Sequence, residues 1–272
     1  MNELNLQSSQ ITCLYECERK WYYNYYLKRC KPSTGPMNRG SCFHLCGELY
    51  LRNGVPLEKL PEVISEMKPD YAIHLPEVMP VFATYLDHYE GQLDIDEIDG
   101  KKAVELEFKL DLGNGIIVRG KIDFVRKQQG KRYISDWKVT SSHLNDSFFS
   151  KFELAPQTQL YSYVGKEYFE GLNGFIIDAV QITDKKVDFK RSFFPFLPNM
   201  DEFISEIYHL GCKVLENLGN EDAFPHRWSS CINRYHRRCA YYDVCRSTAR
   251  IREGLLMSDD FIDYAPIYDE ST

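Results

Sequence analysis

The feature that most constrains this chain is a change of hydrophobic period at its centre. Val104, Leu106, Phe108 and Leu110 alternate with Glu105, Glu107, Lys109 and Asp111, the pattern of a strand with one buried face. G-N-G at 113–115 supplies a hairpin turn. Ile116, Val118, Gly120, Ile122 and Phe124 then alternate with Ile117, Arg119, Lys121, Asp123 and Val125, and after Q-Q-G-K a third strand, R-Y-I-S-D-W-K-V-T, follows. Helical spacing brackets this meander. From about Ser8 to Lys28, Ile11, Leu14, Tyr15, Trp21, Tyr22, Tyr25 and Tyr26 recur three and four apart, with Ser8 or Ser9 as cap, until K-P-S-T-G-P ends the run. A second helix is expected from near Gly40 through His44 to Leu51, and mostly helical chain from Leu57 to Gly91. Phe152–Phe169 and Asp201–Leu218 also read as helices, and Gly174–Thr183 and Val187–Phe194 as strands. Helices on both sides of a strand meander predict an α/β layered fold.

With 272 residues, 43% of them apolar, the chain can bury a full core, and one domain over residues 1–256 is the simplest organisation. No run reaches the roughly 18–20 apolar residues of a membrane helix, and the start lacks a basic segment followed by an apolar one, so a cytoplasmic protein without membrane contact is expected. Nine cysteines in such a protein argue for metal ligation rather than a disulfide framework. The formal charge of −7 is unusual for a nucleic-acid binder, yet 258–272 holds five acids and no Lys or Arg, so much of the imbalance is local. Residues 257–272 are read as an acidic tail, a disordered one in the first place, with a partner-binding peptide or a DNA mimic that covers the basic surface as the alternatives. Basic residues cluster at Arg19, Lys20, Lys28, Arg29 and Lys31 and again at Arg234, Arg237, Arg238 and Arg246, where they flank cysteines or line solvated faces.

In the third strand Asp136 and Lys138 stand two apart and so project from one face, their α-carbons roughly 6.5–7 Å apart. A carboxylate there can hold Mg²⁺ or Mn²⁺ while the ammonium beside it meets a water or a phosphate oxygen. Asp123 on the second strand and Glu105 and Glu107 on the first lie on polar faces that converge on Asp136 if the three strands are neighbours. An isolated D-x-K is common on surface strands, so the weight comes from what accompanies it.

The accompanying motifs fall in a telling order. They are S-S-Q-I-T-C-L-Y-E-C-E-R-K-W-Y-Y-N-Y-Y near the start, the G-x-x-x-H of Gly40 to His44, V-E-L-E-F, R-G-K-I-D-F-V followed by Y-I-S-D-W-K-V-T-S, and the Q-x-x-x-Y of Gln157 to Tyr161. In this order they resemble the RecB-like and AddB-like nucleases of the PD-(D/E)xK superfamily, which include CRISPR-associated adaptation nucleases and many phage exonucleases. Two departures are Glu18, where a proline usually follows the cysteine, and Val139, which intervenes before Thr140. The resemblance implies a restriction-endonuclease-like mixed sheet flanked by helices. It also implies a metal-dependent DNA exonuclease of a bacterium or phage-infected cell, acting on single strands or ends, with helicase or recombination proteins as partners. His44, Asp123, Asp136 and the main-chain carbonyl of Trp137 would ligate Mg²⁺ or Mn²⁺. Lys138 would be catalytic, Glu105, which fits the family's spacing to Phe108 better than the alternative Glu107, would supply the upstream acid, and Gln157 and Tyr161 would face the site or the DNA backbone. The alternative is a catalytically inactive DNA-binding or assembly subunit of a repair complex.

Near the C-terminus Cys231, Cys239 and Cys245 fall within one short aromatic and basic stretch, and three thiolates call for a fourth ligand. By the same resemblance Cys17, or Cys13 one turn earlier, completes a 4Fe-4S cluster that ties the two ends of the chain together. Zinc at the same four thiolates is the other reading. Closing so long a loop would restrict the unfolded chain, so a structural role is expected.

Overall fold

The computed structural model describes residues 3–32, 35–183, 185–233 and 236–264. Arg234 and the last part of the acidic stretch, 265–272, lie outside the described residues. In chain order the elements are β1 (Leu4–Gln7), α1 (Ser8–Glu16), α2 (Glu18–Trp21), β2 (Arg29–Cys30), α3 (Gly35–Gly47), α4 (Leu60–Met67) and α5 (Leu75–His88). There follow β3 (Asp94–Ile95), β4 (Glu97–Ile98), β5 (Lys101–Lys102), β6 (Val104–Asp111), β7 (Ile116–Gln128) and β8 (Lys131–Thr140). The chain then forms α6 (Asp146–Glu153), α7 (Pro156–Tyr168), β9 (Leu172–Thr183), β10 (Lys186–Phe194) and α8 (Met200–Glu216). It closes with α9 (Tyr242–Arg246), α10 (Ala249–Leu256) and β11 (Ile262–Asp263). Two compact units are formed, one from Met1–Ser33, Asp111–Val118 and Glu206–Thr272, the other from Thr34–Leu110 and Arg119–Ser205. Among the described residues no helix is long and apolar enough to cross a membrane.

The unit of Thr34–Leu110 and Arg119–Ser205 carries a mixed sheet with strands in the order β7-β8-β9-β10, and β3 and β6 also pair β7. β7 and β8 are antiparallel, β8 and β9 parallel, β9 and β10 antiparallel. A parallel neighbour cannot be reached through a tight turn, and α6 and α7 provide the crossover from β8 to β9. β9 is buried almost without interruption, as a strand covered on both faces must be.

Register decides what each face carries. Phe124 is opposite Ser135, and Trp137 is opposite Asp178, so Phe124, Ser135, Trp137 and Asp178 share one face while Ile134, Asp136 and Lys138 share the other. α7 lies on the second face, where Gly165 approaches Ile134 so closely that an added Cβ would stand 3.1 Å from Ile134 Cγ1. The first face is closed by α3 and α5, whose Phe43, Phe82 and Tyr85 pack with Phe124, Trp137 and Val180 in one buried cluster. Phe152–Phe169 is not the single helix its periodicity predicts. α6 ends at Glu153 and α7 restarts with Pro156, because proline has no N–H to give and holds Ala155 extended at φ −64, ψ 139.

In the other unit the expected helix over Ser8–Lys28 is broken at Cys17, whose backbone is extended at φ −168, ψ 111, and a π turn over Tyr22–Tyr26 follows α2. Trp21 stacks on Phe224 at 5.8 Å, and Tyr23 meets Tyr241 at 5.4 Å. Arg19, Tyr23 and Arg252 gather on Glu221, and Arg19 Nε donates to the Phe224 carbonyl at 2.6 Å. The stretch read as a tail from residue 257 departs from that expectation through Tyr264. Ile262 and Asp263 pair with Cys30 and Arg29, and Arg29 donates to the carbonyls of Leu256 and Phe261, which satisfies backbone groups that a free tail would leave to water.

Candidate active site

Three strands and two helices of one unit bring the sequence's candidate residues together. His44 comes from α3, Glu105 from β6, Asp123 from β7, Asp136, Trp137 and Lys138 from β8, and Gln157 and Tyr161 from α7. His44 Nδ1 lies 3.3 Å from Asp123 Oδ2 and 3.6 Å from Glu105 Oε1, and its Nε2 lies 3.1 Å from the Trp137 carbonyl. A carbonyl only accepts, so Nε2 carries a proton. Asp123 Oδ2 in turn accepts the Trp137 N–H at 2.8 Å, so the main chain of one residue holds both the imidazole and a carboxylate.

Glu105 reaches this point by an unusual backbone. Its φ is +48, a left-handed value that costs a non-glycine residue free energy and breaks the strict alternation of the strand. Arg52 donates to its carbonyl at 3.2 Å and helps to hold the turn. Glu107 points elsewhere and pairs with Lys121 at 3.1 Å, so geometry brings Glu105, not Glu107, to the histidine. Nothing in the sequence around Arg52 marks it for this part.

Asp136 is fully buried. Its Oδ1 accepts from Gln157 Nε2 at 3.0 Å, and its Oδ2 lies 2.5 Å from Lys138 Nζ in a close ion pair without hydrogen-bond alignment. Gln157 clamps both members, since its Oε1 accepts from Lys138 at 2.8 Å, while Nε2 also lies 3.2 Å from the Tyr161 hydroxyl. Phe152 of α6 adds an aromatic ring 5.9 Å from Lys138 Nζ, a contact the sequence signals only by the aromatic run Phe148, Phe149 and Phe152.

The electrostatics describe a site short of positive charge. Burial pushes Asp136 up to about 6, Asp123 adds to the rise, and Lys138 opposes it. Burial also raises Asp123, against the pull of His44. For His44 burial disfavours the charged ring, but Asp123, Glu105 and Asp136 outweigh it and lift the imidazole to about 9. Among the described residues, His44, Glu105 and Asp123 form the set of three donor side chains that approach one another within 4.8 Å. One imidazole and hard carboxylate oxygens suit Mg²⁺ or Mn²⁺, and a divalent cation would relieve the mutual repulsion of these acids. The buried Asp136 Oδ2, which lacks a hydrogen bond, is a further oxygen available to it.

In the other unit Cys17, Cys231, Cys239 and Cys245 line one cavity of about 530 Å³ together with Lys20 and Arg238. The break at Cys17 turns its thiol out of the helix, and Cys239 N–H donates to Cys231 C=O at 2.8 Å within a loop closed by the Ile232–Arg238 bridge. Burial pushes Cys245 up to about 12, and Cys239, Cys17 and Cys231 add to the rise, which reflects their nearness. Cys13, the other sequence candidate, is buried and is not part of the cavity lining.

No curated protein matches the chain. A solved structure described as "Crystal structure of SSO0001" aligns over 77% of this chain and 76% of its own with 11% identity and a TM-score of 0.38. Residues 6–246 match the family model of the PD-(D/E)XK nuclease superfamily, which covers most of the sequence and all the residues just described. The chain belongs to the PD-(D/E)XK nuclease superfamily.

Proposed function

We propose that the protein is a divalent-metal-dependent deoxyribonuclease that degrades DNA from ends. The observation that carries this reading is the convergence of His44, Glu105, Asp123 and Asp136 beside a lysine that is itself clamped by Gln157. His44, Asp123, Asp136 and the Trp137 carbonyl would hold Mg²⁺ or Mn²⁺, with Glu105 completing the acidic rim. When bound, the ion polarises the phosphoryl group and lowers the pKa of an attacking water. The chain's own residues do the rest. Gln157 fixes Lys138 beside Asp136, where its ammonium meets charge growing on a phosphate oxygen and orients the water. Burial of Asp136 and Trp137 keeps bulk water from the inner side of the site. A subunit that only bound DNA would not require this aligned lysine, amide and carboxylate.

The test uses labelled linear and circular DNA incubated with Mn²⁺ and either the unmodified chain or Lys138→Ala. Metal-dependent loss of linear DNA by the unmodified chain alone supports the reading. Equal degradation by the two proteins defeats the catalytic assignment, and degradation of circles at the same rate defeats the requirement for ends.

We propose that the four thiols of the cysteine cavity hold a 4Fe-4S cluster, with zinc at the same thiolates as the other reading. Tetrahedral zinc draws thiolates to about 3.8 Å from one another, as follows from its bond length. Cys17, Cys231, Cys239 and Cys245 line one cavity, which supports their acting as a single ligand set. A cubane holds its thiolates apart by its own width. Iron and acid-labile sulfide analysis of protein purified without oxygen decides between the two.

A further inference from the structure

On the sheet face away from Asp136 and Lys138 lies a charged network that the proposed chemistry does not touch. Asp178 of β9 and Arg126 of β7 are fully buried. Arg126 donates to Asp178 from Nη1 at 3.1 Å, and Arg191 of β10 donates to both Asp178 oxygens, one of them from Nη2 at 3.1 Å. Tyr85 of α5 donates to Asp178 Oδ2 at 2.8 Å, and the same hydroxyl accepts from the indole Nε1–H of Trp137, also at 2.8 Å. The line of bonds therefore runs from a buried ion cluster into the residue between Asp136 and Lys138.

This arrangement is a poor way to gain stability. Buried ion pairs roughly balance their desolvation, and apolar side chains of the same volume often serve as well. Here Arg126 Nε is buried with no hydrogen-bond acceptor among the described residues, which adds to the cost. What the network does achieve is direction. Trp137 is packed by Phe43, Phe124 and Tyr85, contacts that restrict its position, whereas the bond its indole N–H donates to the Tyr85 hydroxyl sets the roll of the ring. The peptide groups on either side of that side chain are the ones that meet Asp123 at 2.8 Å and His44 at 3.1 Å. A rotated strand would turn both away.

We infer that Tyr85, held by Asp178 and Arg126, is a positioning residue that aims the Trp137 main chain at Asp123 and His44 and so preorganises the metal site. This inference rests on the metal reading given above. Groups that orient ligands in this way typically cost about 10–100-fold in metal affinity or activity when removed.

The test measures Mn²⁺ affinity by electron paramagnetic resonance on the full chain, with kcat and KM for DNA cleavage alongside. Tyr85→Phe keeps the ring and removes the hydroxyl, and it is expected to weaken Mn²⁺ binding about tenfold and to lower kcat with little change in KM for DNA. Val78→Ala, a buried truncation on the same helix, is the comparison for general destabilisation and should leave Mn²⁺ affinity unchanged. Because the path runs through the indole N–H, Tyr85→Phe should add nothing in a Trp137→Phe background. Unaltered Mn²⁺ affinity in Tyr85→Phe overturns the inference, as does a loss no larger than that of Val78→Ala, or full additivity with Trp137→Phe. Failure of the unmodified chain to bind Mn²⁺ overturns the metal reading and this inference together.

Discussion

Gly47 is the position where packing and chemistry can be separated most cleanly. It ends α3 with ordinary helical dihedrals, so nothing about its φ requires glycine. It is small because Trp137 lies against it. A Cβ built there would stand 2.6 Å from Cζ3 of the indole and closer still to Cη2. Ordinary carbon contacts lie at about 3.5–4.0 Å, so Gly47→Ala demands a relative shift of about 1 Å. The indole cannot easily give way, being fully buried, flanked by Phe43 and Phe124 and bonded to Tyr85, so the helix must move. Overpacking costs about 1–3 kcal/mol, while alanine gains about 1 kcal/mol over glycine in a helix, leaving a net loss of about 0–2 kcal/mol. That corresponds to a fall in Tm of a few degrees at most. The effect on the site is much larger, because His44 sits one turn earlier on the same helix and travels with it away from the Trp137 carbonyl and Asp123. A displacement of about 1 Å at reacting groups costs on the order of 10²-fold in rate. Single-turnover cleavage of end-labelled DNA with saturating Mn²⁺, together with a thermal melt, reads both quantities. Cleavage indistinguishable from that of the unmodified chain would refute the argument that α3 position is coupled to the site through this contact.

Three further outcomes are expected. Glu105→Ala should weaken Mn²⁺ binding at least tenfold, whereas Glu107→Ala removes only an exposed pair with Lys121, worth under about 1 kcal/mol, and should cleave normally. Mn²⁺ affinity, followed by isothermal titration, should rise with pH. His44 sits at about 9 without metal and must lose a proton to bind it, so affinity should grow about tenfold per unit up to that value and more steeply below about 6, where Asp136 is also protonated. A flat profile would contradict the assignment of His44 as ligand. Cys239→Ser should remove bound iron, measured by metal analysis, while Mn²⁺ binding at His44 persists. Iron content unchanged by the substitution would remove Cys239 from the cluster.

The sheet meander was legible because alternation is a local property. β6, β7 and β8 lie where the periodicity puts them, and the two-residue spacing of Asp136 and Lys138 by itself ensures that they share a face. The helical break at Cys17 was not legible, since Ile11 to Tyr26 keep a helical spacing across it. Only the folded chain shows that Cys17 is extended and lines a cavity with Cys231, Cys239 and Cys245. Pro156 did announce a boundary within Phe152–Phe169, but the apolar pattern on either side concealed it.

The same division holds for the site. Residue types and their order along the chain picked out the groups suited to the proposed metal and phosphate chemistry, because ionisable side chains carry their charge and donor atoms wherever they stand. Which acid stands beside His44 was decided by tertiary structure: a left-handed backbone at Glu105, held by Arg52, sends one carboxylate to His44 and leaves Glu107 in solvent with Lys121. Asp178, Arg126 and Tyr85 come from two strands and a helix far apart in the chain, and no spacing links them. Their meeting under Trp137 exists only once strand register and helix packing have removed them from water.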